Sequence, residues 1–479
     1  MKMRMGFIAT VSAVALLSGM PAASFAADKM SKEERAAQKA AEKAVKDQVR
    51  AEAKAAKDAE KAAKLAAAAR LKGPYEPDVA QFTSIASPDL TGKYRALFVE
   101  GERNAVLNFN RIGVLEFQAG NLERAKWAFD NSILRISQIY ANDPGAKQAK
   151  SLWSAESVKD FKGEPYERAM AYYYRGLVDL VEGDFQNARA AFKEGEYQDT
   201  VSEAEEYASD FAVLPFLSGW ASQCDGDNGL AEEFYGFAAT ANADLARPEP
   251  DHNLLVLADG GIGPTKFGDG QYREVLKVAD GTDAGVTGVF TLAMDGSEPL
   301  TLEAKRATDI TFQATTRGGR PVQGILNGKA QFKETSGVIG EAATTAGLAM
   351  LANAGDDSDM AAAGGIIAIA GLFAGAMSAA ATPAADVRYW DNLPNAVFAA
   401  TAKVSGPVKV AFGGSDMLIG GNDRCRVAWT RTGPAVPDNA PNAAPTGRPS
   451  KQTLAKDVQF RNQLLAEVQG SASAGGQQR

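Results

Sequence analysis

"EGDFQNARAAFKEG", Glu182 to Gly195, has an upstream counterpart in "QAGNLERAKWAFDNS", Gln118 to Ser132. Both run Gly, then Asn or Asp, then Ala-x-x-x-Phe. Aligned on an earlier glycine, the first copy contains Gly113, Gly120, Ala125 and Phe129, and the second Gly176, Gly183, Ala188 and Phe192. A third, fainter copy contains Gly219, Gly226, Ala231 and Tyr235. In all three the later positions fall 7, 12 and 16 residues after the first glycine. The pattern predicts antiparallel helix pairs. The second glycine ends the first helix in a left-handed conformation. Asn121, Asp184 and Asp227 follow at once, where the second helix needs a cap. The first glycine and the alanine are small where the helices cross, and the aromatic fills the groove against the next pair. Phe109 and Tyr172 take the bulky position before the first glycine; Pro215 stands there in the third copy.

This skeleton resembles the tetratricopeptide repeat (TPR). The copies lie 63 and 43 residues apart rather than the usual spacing of about 34, so extra helices or loops intervene. The resemblance implies stacked helix pairs with a concave groove that holds a peptide or partner helix. Tyr173 and Tyr174, on a first helix, are candidate groove contacts, although Tyr174 can equally pack between helices. Three blocks extend the likeness: "KGEPYERAMAYYYRGLVDLVEGDFQNARAAFKEG", "NLLVLADGGIGPTKFG" and "ADVRYWDNLP". In this order they resemble a poorly characterised family of TPR-containing bacterial envelope proteins and lipoproteins. That likeness implies an envelope location and a role with other envelope proteins, and no known reaction.

The chain has 479 residues, too many for one core, with 45 % apolar and 23 % charged residues. Its net charge of −8 argues against nucleic acid. Residues 1–26 read as a signal peptide: Lys2 and Arg4, an apolar run from Phe7 to Leu17, then "AASFA" with Ser24 and Ala26 before the cleavage point. No lipobox cysteine follows. The expected location is therefore the periplasm or cell envelope. Residues 27–74 read as a charged Ala/Lys-rich helical arm, either a solvated helix or disordered tail, or a basic spacer or contact for an acidic surface. Residues 80–247 have helical periodicity and make a TPR-like helical domain. From residue 248 to 432, short Val/Thr/Phe-rich runs separated by glycine read as a β-rich domain. An Ala/Gly-rich helical hairpin at 338–382 is inserted in it. Residues 433–479 read as a disordered linker and a short C-terminal helix, about Lys451 to Val468. The expected fold class is thus α+β and multidomain.

The chemistry-bearing residues are sparse. "LADGGIGPTKFGDG" is glycine-rich but lacks both the dinucleotide fingerprint and a phosphate loop, so a strand-to-loop connection is expected. Asp225 and Asp227 suggest the start of a calcium loop, but Leu230 and Gly236 stand where its glycine and glutamate belong. His252 precedes the first strand and reads as a loop residue. Cys224 and Cys425 are either disulfide-bonded, stapling helices to strands, or two buried free thiols, the reading slightly favoured from sequence. Gly364 to Thr382 is an uncharged run, long enough to contact or enter a membrane, or to form a buried hairpin. No catalytic residue, metal or cofactor is predicted. The expected role is an exported scaffold that mediates protein–protein interactions in envelope assembly or secretion. A membrane-docked or membrane-inserted component of an outer-membrane complex using 364–382 is the alternative; a cell-wall enzyme ranks below both.

Overall fold

The computed structural model describes residues 32–140, 160–161, 163–200, 210–245, 247–271, 275–284, 286–294, 298–315, 385–413, 415–422, 424–432 and 451–475. The expected signal peptide, the 338–382 insertion with its Gly364–Thr382 run, and residues 433–450 lie outside them. The chain divides into two units, Met1–Ala69 and Arg70–Arg479. Described residues of the first belong to one long helix, α1 (Lys32–Arg70), built from strong helix formers and exposed along almost its whole length.

The second unit is of the α+β class. Two short helices, α2 (Glu76–Thr83) and α3 (Thr91–Glu100), lead into three helical hairpins. These pair α4 (Ala105–Gln118) with α5 (Leu122–Tyr140), α6 (Pro165–Glu182) with α7 (Phe185–Thr200), and α8 (Val213–Asp225) with α9 (Asn228–Ala241). Each of the three repeated turns carries its glycine at positive φ: Gly120 at 76°, Gly183 at 79° and Gly226 at 94°. Asp227 accepts from Leu230 N at 3.0 Å and Asp184 from Asn187 N at 3.2 Å, each binding an N–H in the first turn of the following helix. Asn121 behaves differently. Its amide donates to Glu116 at 2.8 Å, because Glu116 is fully buried and also takes the Tyr94 hydroxyl at 2.7 Å.

The first glycines differ from expectation in what they face. A Cβ built on Gly113 would lie 2.6 Å from the Phe129 ring, and one on Gly219 would lie 2.7 Å from Tyr235. Gly176 meets Phe192 in the same way. The small residue therefore makes room for the aromatic of its own hairpin rather than for the partner helix backbone. Phe129 also reaches the next hairpin, stacking on Tyr174 with ring centroids 5.7 Å apart.

Beyond the hairpins the described residues form eleven strands. β1 (Leu254–Gly260) is central in a five-stranded sheet. It pairs in parallel with β11 (Arg426–Arg431) and antiparallel with β7 (Ala396–Ala402). β10 (Leu418–Gly421) and β6 (Lys305–Asp309) form the edges. A four-stranded sheet contains β5 (Leu300–Glu303), β4 (Val289–Met294), β8 (Val408–Phe412) and β9 (Ser415–Asp416) in that order, and β2 (Thr265–Asp269) with β3 (Val275–Ala279) makes a separate ribbon. A short helix, α10 (Ile310–Thr315), follows β6.

Every residue of β1 is buried, and its side chains alternate between two cores. Leu255 and Leu257 join Phe117, Tyr174, Leu217 and Trp429 in the core shared with the hairpins. Leu254, Val256 and Ala258 join Phe290, Leu292, Val410 and Phe412 of the second sheet. The layers are thus helices, five-stranded sheet, four-stranded sheet. The stretches expected as a helical and a β-rich domain share one core. Helix α11 (Lys451–Gly475) is longer than expected and buries Phe460, Leu464 and Leu465 against Val79, Phe82, Tyr94 and Phe109.

Gly113→Ala should destabilise the protein by about 1–3 kcal/mol, despite alanine's higher helix propensity, because the Phe129 ring cannot give way. Urea melts of Gly113→Ala in the native and Phe129→Leu backgrounds test this; the penalty should largely vanish in the latter.

Candidate functional site

The three sequence blocks singled out above converge on one polar junction between the hairpins and the central sheet. Helix α6 opens with Pro165 at its first position and a capping box, in which Glu164 N donates to Glu167 Oε2 at 2.7 Å. Glu167 faces inward, 1 % exposed. It takes Lys266 Nζ of β2 at 2.5 Å and the backbone N–H of Trp390 at 2.7 Å. Both charges of the Glu167–Lys266 pair are out of solvent, so the pair holds because backbone donors supplement it. The Lys266 ammonium also lies 5.5 Å from the Tyr166 ring centre.

About two turns further along α6, Tyr173 and Tyr174 donate to the two oxygens of Asp259 at 2.9 and 2.7 Å. Both tyrosines are fully buried, so the expectation that they line an open groove is overturned. Asp259 sits near the end of β1. Burial raises its pKa to about 6, against the lowering effects of the tyrosine hydroxyls and of Arg431. Burial likewise holds both phenols well above their ordinary range.

The segment around residues 385–396 threads between these layers. Arg388, 1 % exposed, binds Asp386 and donates to Asn104 Oδ1 at 2.8 Å. Asp391 pairs with Arg111 of α4 at 2.6 Å, and Asn392 donates to the Arg111 carbonyl at 3.2 Å. Asn395 donates its N–H to Gly260 O at 2.8 Å and accepts Thr311 Oγ1 at 2.7 Å. The adjoining glycine-rich loop is tight for this reason. A Cβ on Gly263 would lie 2.8 Å from Leu393 O, and Gly261, at φ 76°, abuts Thr282 O. Its glycines thus admit neighbouring backbone.

Cys224 of α8 and Cys425 beside β11 are bonded to each other, with Cα atoms 5.6 Å apart, which resolves the pairing against two free thiols. The hairpin turns meet the β10–β11 region nearby: Gly420 lies against Val181, and Arg424 covers Gly226. Phe117 packs on Trp429 with ring centroids 4.5 Å apart. The first-helix face, where the repeat predicts a groove, therefore carries the chain's own sheet.

His252 Nδ1 lies 2.8 Å from Thr401 Oγ1, in a loop as expected. Asp225 and Asp227 belong to the third hairpin turn. Among the described residues no cluster of three His, Cys, Asp or Glu could hold a metal, and no helix is long and apolar enough to cross a membrane. An open depression of about 250 Å³ lies between α5 and α11, lined by Glu102, Leu134, Arg135, Lys456 and Phe460. Chemically the junction binds protein to protein: its acids and bases hold one another. The periodicity of α6 placed Glu167, Tyr173 and Tyr174 on a helix, but no local signal in the sequence pairs them with Lys266 and Asp259. No protein family's pattern, no curated protein and no solved structure matches this chain.

Because the folded pKa of Asp259 lies above its unfolded value, the fold gains stability as pH falls from 7 through 6 toward 4, by up to about 3 kcal/mol, and loses it as pH rises back. Asp259→Asn should flatten this part of the stability–pH profile relative to the native chain, as read by denaturant melts at each pH. Lys266→Met, which strands Glu167, should cost about 3–5 kcal/mol in the same assay.

Proposed function

We propose that this chain is an exported, non-catalytic scaffold of TPR type that docks partner proteins in the cell envelope. The observation that carries this reading is on the outer side of the hairpin stack. Among the described residues each second helix presents one large exposed apolar side chain: Leu134 on α5 at 50 %, Tyr197 on α7 at 58 % and Phe237 on α9 at 50 %. Leu134 and Tyr197 both lie 21 residues after the first glycine of their repeat, so repetition sets them in equivalent places. Large apolar groups held in water on a rigid stack favour contact with another protein. With the first-helix face covered, docking falls to this outer face.

The Cys224–Cys425 bond supports an oxidising compartment, in keeping with the signal-like start. The three turn glycines at positive φ and the glycine–aromatic contacts within the hairpins support the repeat reading. The same repeat could bring hairpins together in any compartment, so the disulfide is what favours export.

Site-specific photocrosslinking tests the proposal in cells. A crosslinker at position 134, 197 or 237 should give discrete adducts with envelope proteins, while one at buried Tyr173 should give none. The two cysteines should resist alkylation until reduced, and carbonate should strip the protein from membranes. No adduct from any outer position, or a cytoplasmic protein with alkylatable cysteines, overturns the reading.

A further inference from the structure

Helix α1 carries an ordered charge pattern that the junction and the hairpins do not use. Its cations are Lys32, Arg35, Lys39, Lys43, Lys46, Arg50, Lys54, Lys57, Lys61 and Lys64, followed by Arg70. From Lys32 to Lys64 every step between successive cations is three or four residues. At about 100° per residue, these ten fall within an arc of about 100°, and only Arg70 lies outside it. All ten are exposed. The stripe follows one side of the helix for about 48 Å, at about 1.5 Å per residue. Alanines such as Ala37, Ala41, Ala55, Ala59 and Ala66 lie on the opposite side. Glu42, Asp47, Asp58 and Glu60 border the stripe, and Glu52 lies on the far side; Glu60 holds Lys64 at 2.6 Å, in an exposed pair that water screens.

We propose that this face of α1 docks on a planar anionic lipid surface. The geometry selects the partner by its shape. A row of cations kept to one side of a helix and spaced about 5 Å apart can meet a flat sheet of phosphates along its length. The phosphate backbone of a nucleic-acid duplex winds across such a row and meets it at few points. Val45, Val49 and Leu65 are the large apolar residues of the helix, too few for an apolar face that buries into acyl chains. Attachment is therefore electrostatic, at the headgroups, and reversible by salt. The proposal rests on α1 by itself and is independent of the docking face proposed for the hairpins.

The test is sedimentation with vesicles of phosphatidylglycerol and phosphatidylcholine, using the full chain and also the chain from Ala27, which removes the apolar Phe7–Leu17 run. Binding should rise with the anionic fraction, be absent on pure phosphatidylcholine and fall steeply between low and physiological salt. Each cation near an anionic surface contributes about fivefold. The variant Lys43→Gln, Lys46→Gln, Arg50→Gln, Lys54→Gln, which keeps good helix formers, should therefore partition at least about a hundredfold more weakly. A permuted chain with Lys43→Ala, Ala44→Lys, Arg50→Ala, Ala51→Arg, Ala56→Lys and Lys57→Ala keeps the charge but breaks the stripe, and should also bind more weakly. Circular dichroism checks that both retain the helix. Permuted binding equal to native, tighter binding to a DNA duplex than to vesicles at equal salt, or salt-sensitive self-association without vesicle binding overturns the proposal.

Discussion

Strand β1 sets the terms for the body of the protein because it meets water nowhere. Both of its edges are hydrogen-bonded, in parallel to β11 and antiparallel to β7, and both of its faces are packed. A strand in that position satisfies its backbone through neighbours far away in sequence. It also carries Asp259 inward, and a carboxylate there requires donors. Tyr173 and Tyr174 supply them from α6. The need of one strand for cover on both sides thus explains why helices lie on one face and a second sheet on the other.

The same requirement changes what the helical repeats are for. A hairpin stack that presents an empty groove can accept a foreign peptide. Here the groove side meets β10 and β11, and Trp429 sits against Phe117 and Tyr174. The Cys224–Cys425 bond fastens the third hairpin to the same region, across 201 residues of sequence. In the chain-entropy account, closing a loop of that length restricts the unfolded state by about 5 kcal/mol. Burial, ion pairing and a covalent link all act at one boundary, which makes helices and sheet a single piece.

What the sequence made legible was local. The turn glycines, the aromatic at the end of each repeat and the helical texture of the described residues between 105 and 238 all follow from spacing within some twenty residues. Strand-rich texture after residue 248 was readable for the same reason. The junction was not readable. Glu167 and Lys266 are separated by 99 residues, and Arg111 and Asp391 by 280, and no periodicity links such pairs. Tyr173 and Tyr174 looked like groove residues because the partner that buries them is encoded elsewhere. The pairing of Cys224 with Cys425 is set by the fold, since an even count does not bring two Cα atoms together.

Helix α11 ties the order of synthesis to the order of folding. Arg461 donates to the carbonyl of Phe98, 363 residues earlier, and Phe460 meets Phe109 edge-on. Until residue 465 emerges, Phe82, Tyr94 and Phe109 lack part of their cover, and β1 lacks its parallel neighbour until β11 exists. Contacts this distant delay the native state past the growing stage of the polypeptide. A chain built this way locks late, once its last helix and its last strand are both available to close the cores begun about 360 residues earlier.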